Sequence, residues 1–193
     1  DPDFDSKFDL DSSGSITFDD FFVFVDNFGN SVTSKSWGSS TREDNEAFVS
    51  VTAIGRGLGS NRTATVRVRI DNADRIHAFG VVVEYDSEQM EFVEASEGLG
   101  HLLEATGERA ELFTVFSHDP GQVVLGNALT SGAFVSGHGT LAELRFRLNR
   151  VPGDATVSVT ETFLGSAGES ARRVTNLGST TILPSSFALE ANF

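Results

Sequence analysis

The chain has 193 residues, 39% of them hydrophobic and 22% charged, which suits one medium domain with an appendage or two small ones and excludes disorder over its whole length. A net charge of −14, from 14 basic against 28 acidic residues, argues against a nucleic-acid or anionic-membrane partner, because both need basic surface. With no cysteine, disulfides, thiolate metal sites and cysteine nucleophiles are excluded as well. No apolar run approaches the length of a membrane span, and the ends at Asp1-Pro2 and Phe193 read as those of an excised or processed piece.

At the N-terminus, Asp1-Pro2-Asp3 has the order of an N-cap, a first-turn proline and an acid, which predicts a short helix over 2–8. The next twelve residues, Asp9 to Asp20, carry the sharpest signal in the chain. Calcium is a hard cation that takes six to eight oxygens, and a twelve-residue loop supplies them from alternating positions. Asp9, Asp11 and Ser13 stand at positions 1, 3 and 5, and Gly14 at position 6 allows the sharp turn. Ser15 at position 7 offers its carbonyl, Thr17 stands at position 9, Asp20 closes the shell at position 12, and Ile16 is the apolar plug expected to face the core. Ser13 and Asp20 replace a carboxylate and a glutamate, so the expected affinity is modest, roughly 10⁻⁵ to 10⁻³ M. The earlier Asp1, Asp3 and Asp5 lack a glycine in register and read as capping and solvation.

A second helix is predicted over 18–28, ending at Gly29. Phe18, Phe21, Phe22, Val25 and Phe28 fall on one face of it, and that face is read as a partner-binding surface. Burial of the same face within the chain is the alternative. Residues 30–45 are rich in Ser, Thr, Gly and charge without period and read as a linker, with Trp37 as an anchor inside it. From Glu46 onward the texture is that of short strands. Thr65 to Ile70, Leu144 to Leu148 and Val157 to Thr160 alternate, and Phe48 to Ile54, Phe79 to Tyr85 and Val123 to Leu125 are further strand candidates. Gly98 to Arg109 fits either a loop or a helical turn. Many short strands with little helix between them indicate a mainly β fold of sandwich type.

The segment KFDLDSSGSITFDDFFVFVDNFG, Lys7 to Gly29, resembles the dockerin family, whose repeats pair a D-x-D-x-[DS]-G loop with a Phe- or Leu-rich helix. Dockerins usually carry two such repeats, and one is visible here. Thr65 to Ala73, Phe79 to Asp86, Gly121 to Gly126 and Ser136 to Phe146 together resemble cohesin and related modules. That resemblance implies a jelly-roll β-sandwich with a protein- or sugar-binding surface and no catalytic activity. The tail from Leu183 to Phe193 resembles the opening of a type IX secretion sorting domain. The organisation read from the sequence is therefore a calcium-binding EF-hand or dockerin-like module at 1–29, a linker at 30–45, a cohesin-like sandwich at 46–178 and a C-terminal linker or start of a sorting domain at 179–193.

Nothing in the sequence marks a catalytic site. His77, His101, His118 and His138 are scattered, with no metal-ligand spacing. Gly55-Arg56-Gly57-Leu58-Gly59 joins two strand candidates and reads as a hairpin turn, since a phosphate cradle would need a following helix. The function expected is non-catalytic protein–protein assembly at an extracellular or bacterial cell surface, with calcium as cofactor and head-to-tail self-association, up to a filament, as one form of it. The alternative is a carbohydrate-binding accessory module of a secreted polysaccharide-degrading protein. One Trp and one Tyr give little for a sugar platform.

Overall fold

A computed structural model describes residues 6–27, 42–57, 62–107, 112–117, 120–149, 155–166 and 171–182. In chain order the elements are a helix α1 (Phe18–Asn27), strands β1 (Arg42–Gly57), β2 (Thr63–Ile76), β3 (Ala78–Tyr85) and β4 (Met90–Ser96), a 3₁₀ turn η1 (Leu102–Thr106), and strands β5 (Thr114–Phe116), β6 (Gln122–Ala128), β7 (Val135–Leu148), β8 (Ala155–Gly165), β9 (Arg172–Asn176) and β10 (Ser179–Ile182).

The strands run in the order β4-β7-β2-β1-β9-β8-β3-β6-β5, with β10 paired to β8. All pairings are antiparallel except β1 with β9, where Arg42 stands opposite Arg172 and Asp44 opposite Val174. β9 in turn meets β8 at only two positions, Phe163↔Arg173 and Leu164↔Arg172. It is the seam that joins two half-sheets, β4-β7-β2-β1 and β8-β3-β6-β5, folded face to face around one core.

Alternation in the sequence becomes alternation in burial. In β2, Ala64, Val66, Val68 and Ile70 are fully buried while Thr65, Arg67 and Arg69 point outward. In β7, Leu144, Phe146 and Leu148 are buried between exposed Arg145 and Arg147, and Val157 and Val159 do the same in β8. The outward arginines are paired across strands, Arg67 with Glu143 at 2.6 Å and Arg145 with Glu94 at 2.9 Å. β3 departs from this pattern: from Ala78 to Val83 only Val82 is even partly exposed, because this strand is covered on both sides.

Three expectations differ from the structure. Residues 6–8, the described end of the predicted 2–8 helix, form a turn and bend, and Phe8 is 62% exposed. So short a helix needs a packed face to persist, and Phe8, its large apolar residue among the described ones, is turned to solvent. Ile16, expected to plug the core, is 48% exposed and packs into neither apolar cluster. β1 begins at Arg42, within the stretch read as linker, held by its pairing to β9. The sequence did not single out β4, β5, β9 and β10, which are short, edge-lying or polar. Gly98 to Thr106 includes the 3₁₀ turn, closed by Gly107 at φ 78°. Phe28, Gly29, Trp37, His118 and residues 183–193 lie outside the described residues.

Candidate calcium loop and helix seat

The loop from Asp9 to Asp20 is folded around its own carboxylates. Asp9 accepts the Ser13 N–H at 2.9 Å and the Gly14 N–H at 3.0 Å, and Asp11 accepts the Ser13 N–H at 2.9 Å. Ser13 Oγ donates to the Ser15 carbonyl at 3.0 Å. Gly14 sits at φ 85°, left-handed backbone that glycine adopts freely, and it makes the reversal of the loop. Asp20, only 3% exposed, reaches back from the helix: one oxygen accepts the Leu10 and Asp11 N–H groups at 2.6 and 3.2 Å, the other the Thr17 N–H at 2.7 Å.

Thr17 caps α1, its Oγ1 accepting the Asp19 N–H at 3.2 Å. Asp20, at the third helical position, reaches back to the Thr17 N–H as the acid of a capping box does, with Asp in place of Glu, while the Thr17 hydroxyl caps the N–H of Asp19. The same Asp20 thus starts the helix and closes the loop. Ligand oxygens of Asp9, Asp11 and Asp20 lie within 4.8 Å of one another. This all-oxygen, three-carboxylate set fits a hard cation such as calcium, with the Ser13 hydroxyl and the Ser15 carbonyl on the same loop. Asp19 feels the crowding. Burial first, then the Asp11 and Asp20 carboxylates, push its carboxyl above the ordinary range.

The apolar face of α1 lies on the outer surface of β3, β6 and β8. Phe22 and Val25 are 7% and 5% exposed, and with Ala78, Ala128 and Ala171 they form a second apolar cluster, separate from the sandwich core. Phe18, Phe21, Leu112 and Phe163 pack around it. Two glycines make room, and a third lies beneath Phe21. A Cβ on Gly80 of β3 would overlap the Phe18 ring, one on Gly165 of β8 would come within 2.8 Å of Phe22, and one on Gly126 of β6 would touch Phe21 at 3.5 Å. The rings also meet each other, Phe18 with Phe163 at 5.4 Å and Phe21 with Phe22 at 5.6 Å between centroids.

Of the two readings given to Phe18, Phe21, Phe22 and Val25, a partner-binding face or burial within the chain, the structure has the second arrangement. These side chains face the chain's own sheet, because glycines on three neighbouring strands give them a fitted bed. Sequence reasoning missed the bed itself. A glycine inside a strand marks close approach of another group; Gly80 and Gly126 stood within apolar strand sequence, and Gly165 ends β8.

Elsewhere, polar groups serve structure. Asp44 is 8% exposed, pairs with Arg172 at 3.0 Å and accepts the Glu46 and Ala47 N–H groups at 3.1 and 2.9 Å. It lines an open pocket of about 440 Å³ with Glu43, Asn72, Asp74 and Arg172, whose guanidinium also donates to the Asp74 carbonyl. His138 is exposed on β7, whereas His77 and His101 are each 3% exposed. His101 Nε2 lies 3.3 Å from the Asn127 amide, which donates to Glu97 at 2.8 Å. Burial lowers the His101 pKa against the opposing pull of Glu97 and Glu104. No helix among the described residues is long and apolar enough to cross a membrane.

Comparison with known proteins supplies the family. The model of the cohesin domain matches residues 48–182. Among solved structures, the chain is similar to the cohesin module of a family 33 glycoside hydrolase from Clostridium perfringens, at 11% identity over 72% of this chain and 97% of that one, with a TM-score of 0.56. It is also similar to the sixth cohesin of scaffoldin B from Acetivibrio cellulolyticus, solved in complex with a Cel5 dockerin, at 17% identity over 70% of this chain and 97% of that one, TM-score 0.53. A non-cellulosomal cohesin from the archaeon Archaeoglobus fulgidus matches at 18% identity over 72% and 93%, TM-score 0.52. At such identities the likeness is one of fold. No curated protein matches the sequence.

Proposed function

Because the chain belongs to the cohesin domain family, whose members are non-catalytic protein-interaction modules, we propose that it is an extracellular or cell-surface assembly module. In this reading its sandwich takes a helical protein partner and its N-terminal loop binds calcium. The observation that supports the reading best is the bed of Gly80, Gly126 and Gly165 on β3, β6 and β8, a sheet face shaped to take an aromatic helix. Cohesins of similar fold have been solved with dockerins bound, and a dockerin-type module is the partner chemistry proposed here. Asp9, Asp11, Ser13, Ser15, Thr17 and Asp20 would hold the cation, which would offset the mutual repulsion of three carboxylates packed at the foot of α1.

Three measurements test the proposal. Calorimetry with calcium should show one site with a dissociation constant of roughly 10⁻⁵ to 10⁻³ M, and sedimentation velocity should show a more expanded chain in excess EDTA. Titration with a panel of dockerin modules should give at least one saturable complex with a variant whose bed is vacated by Phe18→Glu and Phe22→Glu. Absence of calcium heat together with identical sedimentation would refute the metal assignment. Absence of binding across the panel would refute the partner.

A further inference from the structure

The glycine-paved face is already occupied by the chain's own helix. We propose that α1 is an exchangeable internal ligand, and that the partner this face takes in trans is the α1 of a second copy of this chain. The inference rests on the reading of this face as a protein-docking face, and adds who occupies it.

Three observations carry it. The contact is built like an interface between molecules: its apolar cluster, centred on Phe22, Val25, Ala78 and Ala128, is separate from the sandwich core, so the sandwich does not need α1 to complete its own interior. The fit is specific, since Phe18, Phe21 and Phe22 each lie over a different glycine on a different strand, and another helix would need the same i, i+3, i+4 pattern to fill the bed. The connection is long enough for exchange. α1 ends at Asn27 and β1 starts at Arg42, and the fourteen residues between them, 28–41, can span at most about 50 Å. The same helix can therefore reach its own bed or that of a neighbour.

Concentration decides which one wins. A short tether holds its ligand at an effective concentration of the order of millimolar. In dilute solution the internal helix therefore excludes a second copy, and exchange dominates only as the concentration of chain approaches that level, as it does when copies are crowded on a surface. Exchange is heterologous, the helix of one copy on the sheet of the next, so it gives closed dimers where the tether permits and open chains where it does not.

Complementary variants of the full chain test this. In one, Gly80→Val and Gly165→Val fill the bed and leave α1 without a seat. Valine suits a strand, and both positions face away from the sandwich core. In the other, Phe18→Glu and Phe22→Glu disable the helix and leave the bed open. Neither should self-associate at tens of micromolar. Mixed in calcium, they should form a one-to-one complex by sedimentation velocity, at least tenfold tighter than self-association of the wild type. Adding Phe21→Ala to the bed-filled partner should weaken that complex tenfold or more. Two independently folded variants, each with a strand-type circular dichroism spectrum and a cooperative melt, that fail to associate would overturn the inference. If either variant fails to fold, wild-type chains carrying donor and acceptor dyes on α1 and β6 replace them: energy transfer between chains should grow as the concentration approaches millimolar, and a concentration-independent signal would overturn the inference equally. An open-bed variant that binds dockerin modules but not the bed-filled copy would leave the assembly function standing and remove only the self-exchange.

Discussion

Replacing Phe22 by alanine separates the seated helix from the sandwich it sits on. The Phe22 ring is 93% buried, since only 7% is exposed, and lies between Phe18 and Phe21 over Gly165. In a closed core a Phe→Ala change costs about 3–5 kcal/mol, part of it for the cavity left behind. Here the cluster lies outside the main core and the helix can settle into the gap, so the transfer contribution of about 2–3 kcal/mol is the better figure. That corresponds to a shift of about 30- to 150-fold in the equilibrium between seated and released helix. Hydrogen exchange reads it directly: the α1 amides should exchange faster by about that factor, while β2 and β7 amides keep their protection and the melting temperature of the sandwich moves little. A mutant with a strongly lowered sandwich melt and unchanged α1 protection would refute the reasoning, because Phe22 would then belong to the main core.

Asp9→Asn should weaken calcium binding at least tenfold by calorimetry, with the sandwich melt unchanged in EDTA, since Asp9 touches only its own loop. Asp20→Ala should do more: it removes the closing ligand and the N-terminal cap together, so α1 should lose about 1–2 kcal/mol of helix stability even without metal, seen as faster α1 exchange in EDTA. Asp44→Ala leaves the Arg172 guanidinium buried without its carboxylate, and should cost about 3 kcal/mol, a drop of about 6–12 °C in melting temperature. His101 has a folded pKa below its ordinary value, so its neutral form stabilises the fold above about pH 6.5 and that contribution is lost as pH falls through the lowered pKa. The melt should therefore drop between pH 7 and pH 5, and His101→Leu should flatten that slope.

The sequence spoke clearly where one physical rule acted alone. Strict alternation in Thr65 to Ile70 fixed the two faces of β2 because solvent lies on one side and the core on the other. The order of oxygens from Asp9 to Asp20 predicted a loop in which three carboxylates converge, because ligand spacing is a local property of the chain. What stayed hidden needed two distant segments at once. The extent of β1 depends on Arg172 and its neighbours, some 130 residues away, and no local pattern at Arg42 announces a strand. The position of α1 depends on the glycines of three strands, so a helix face with apolar spacing could not by itself show whether it met a partner or its own sheet. The run Phe79-Gly80-Val81-Val82-Val83 held the missing hint, since a strand with no polar alternation is one covered on both sides.

The seam between β1 and β9 bears on how the domain carries mechanical load. Chain enters at the start of β1 and runs out past β9 into β10, and β1 and β9 point the same way. Tension between the segments flanking the sandwich therefore pulls these two strands lengthwise past one another, so their bonds share the force instead of opening one after another. The Asp44–Arg172 ion pair, and the bonds of Thr175 and Asn176 to Asn45 at 2.8 Å each, lie across the same sliding plane and would have to yield in the same step. A module arranged in this way resists stretching at the line where its two half-sheets meet.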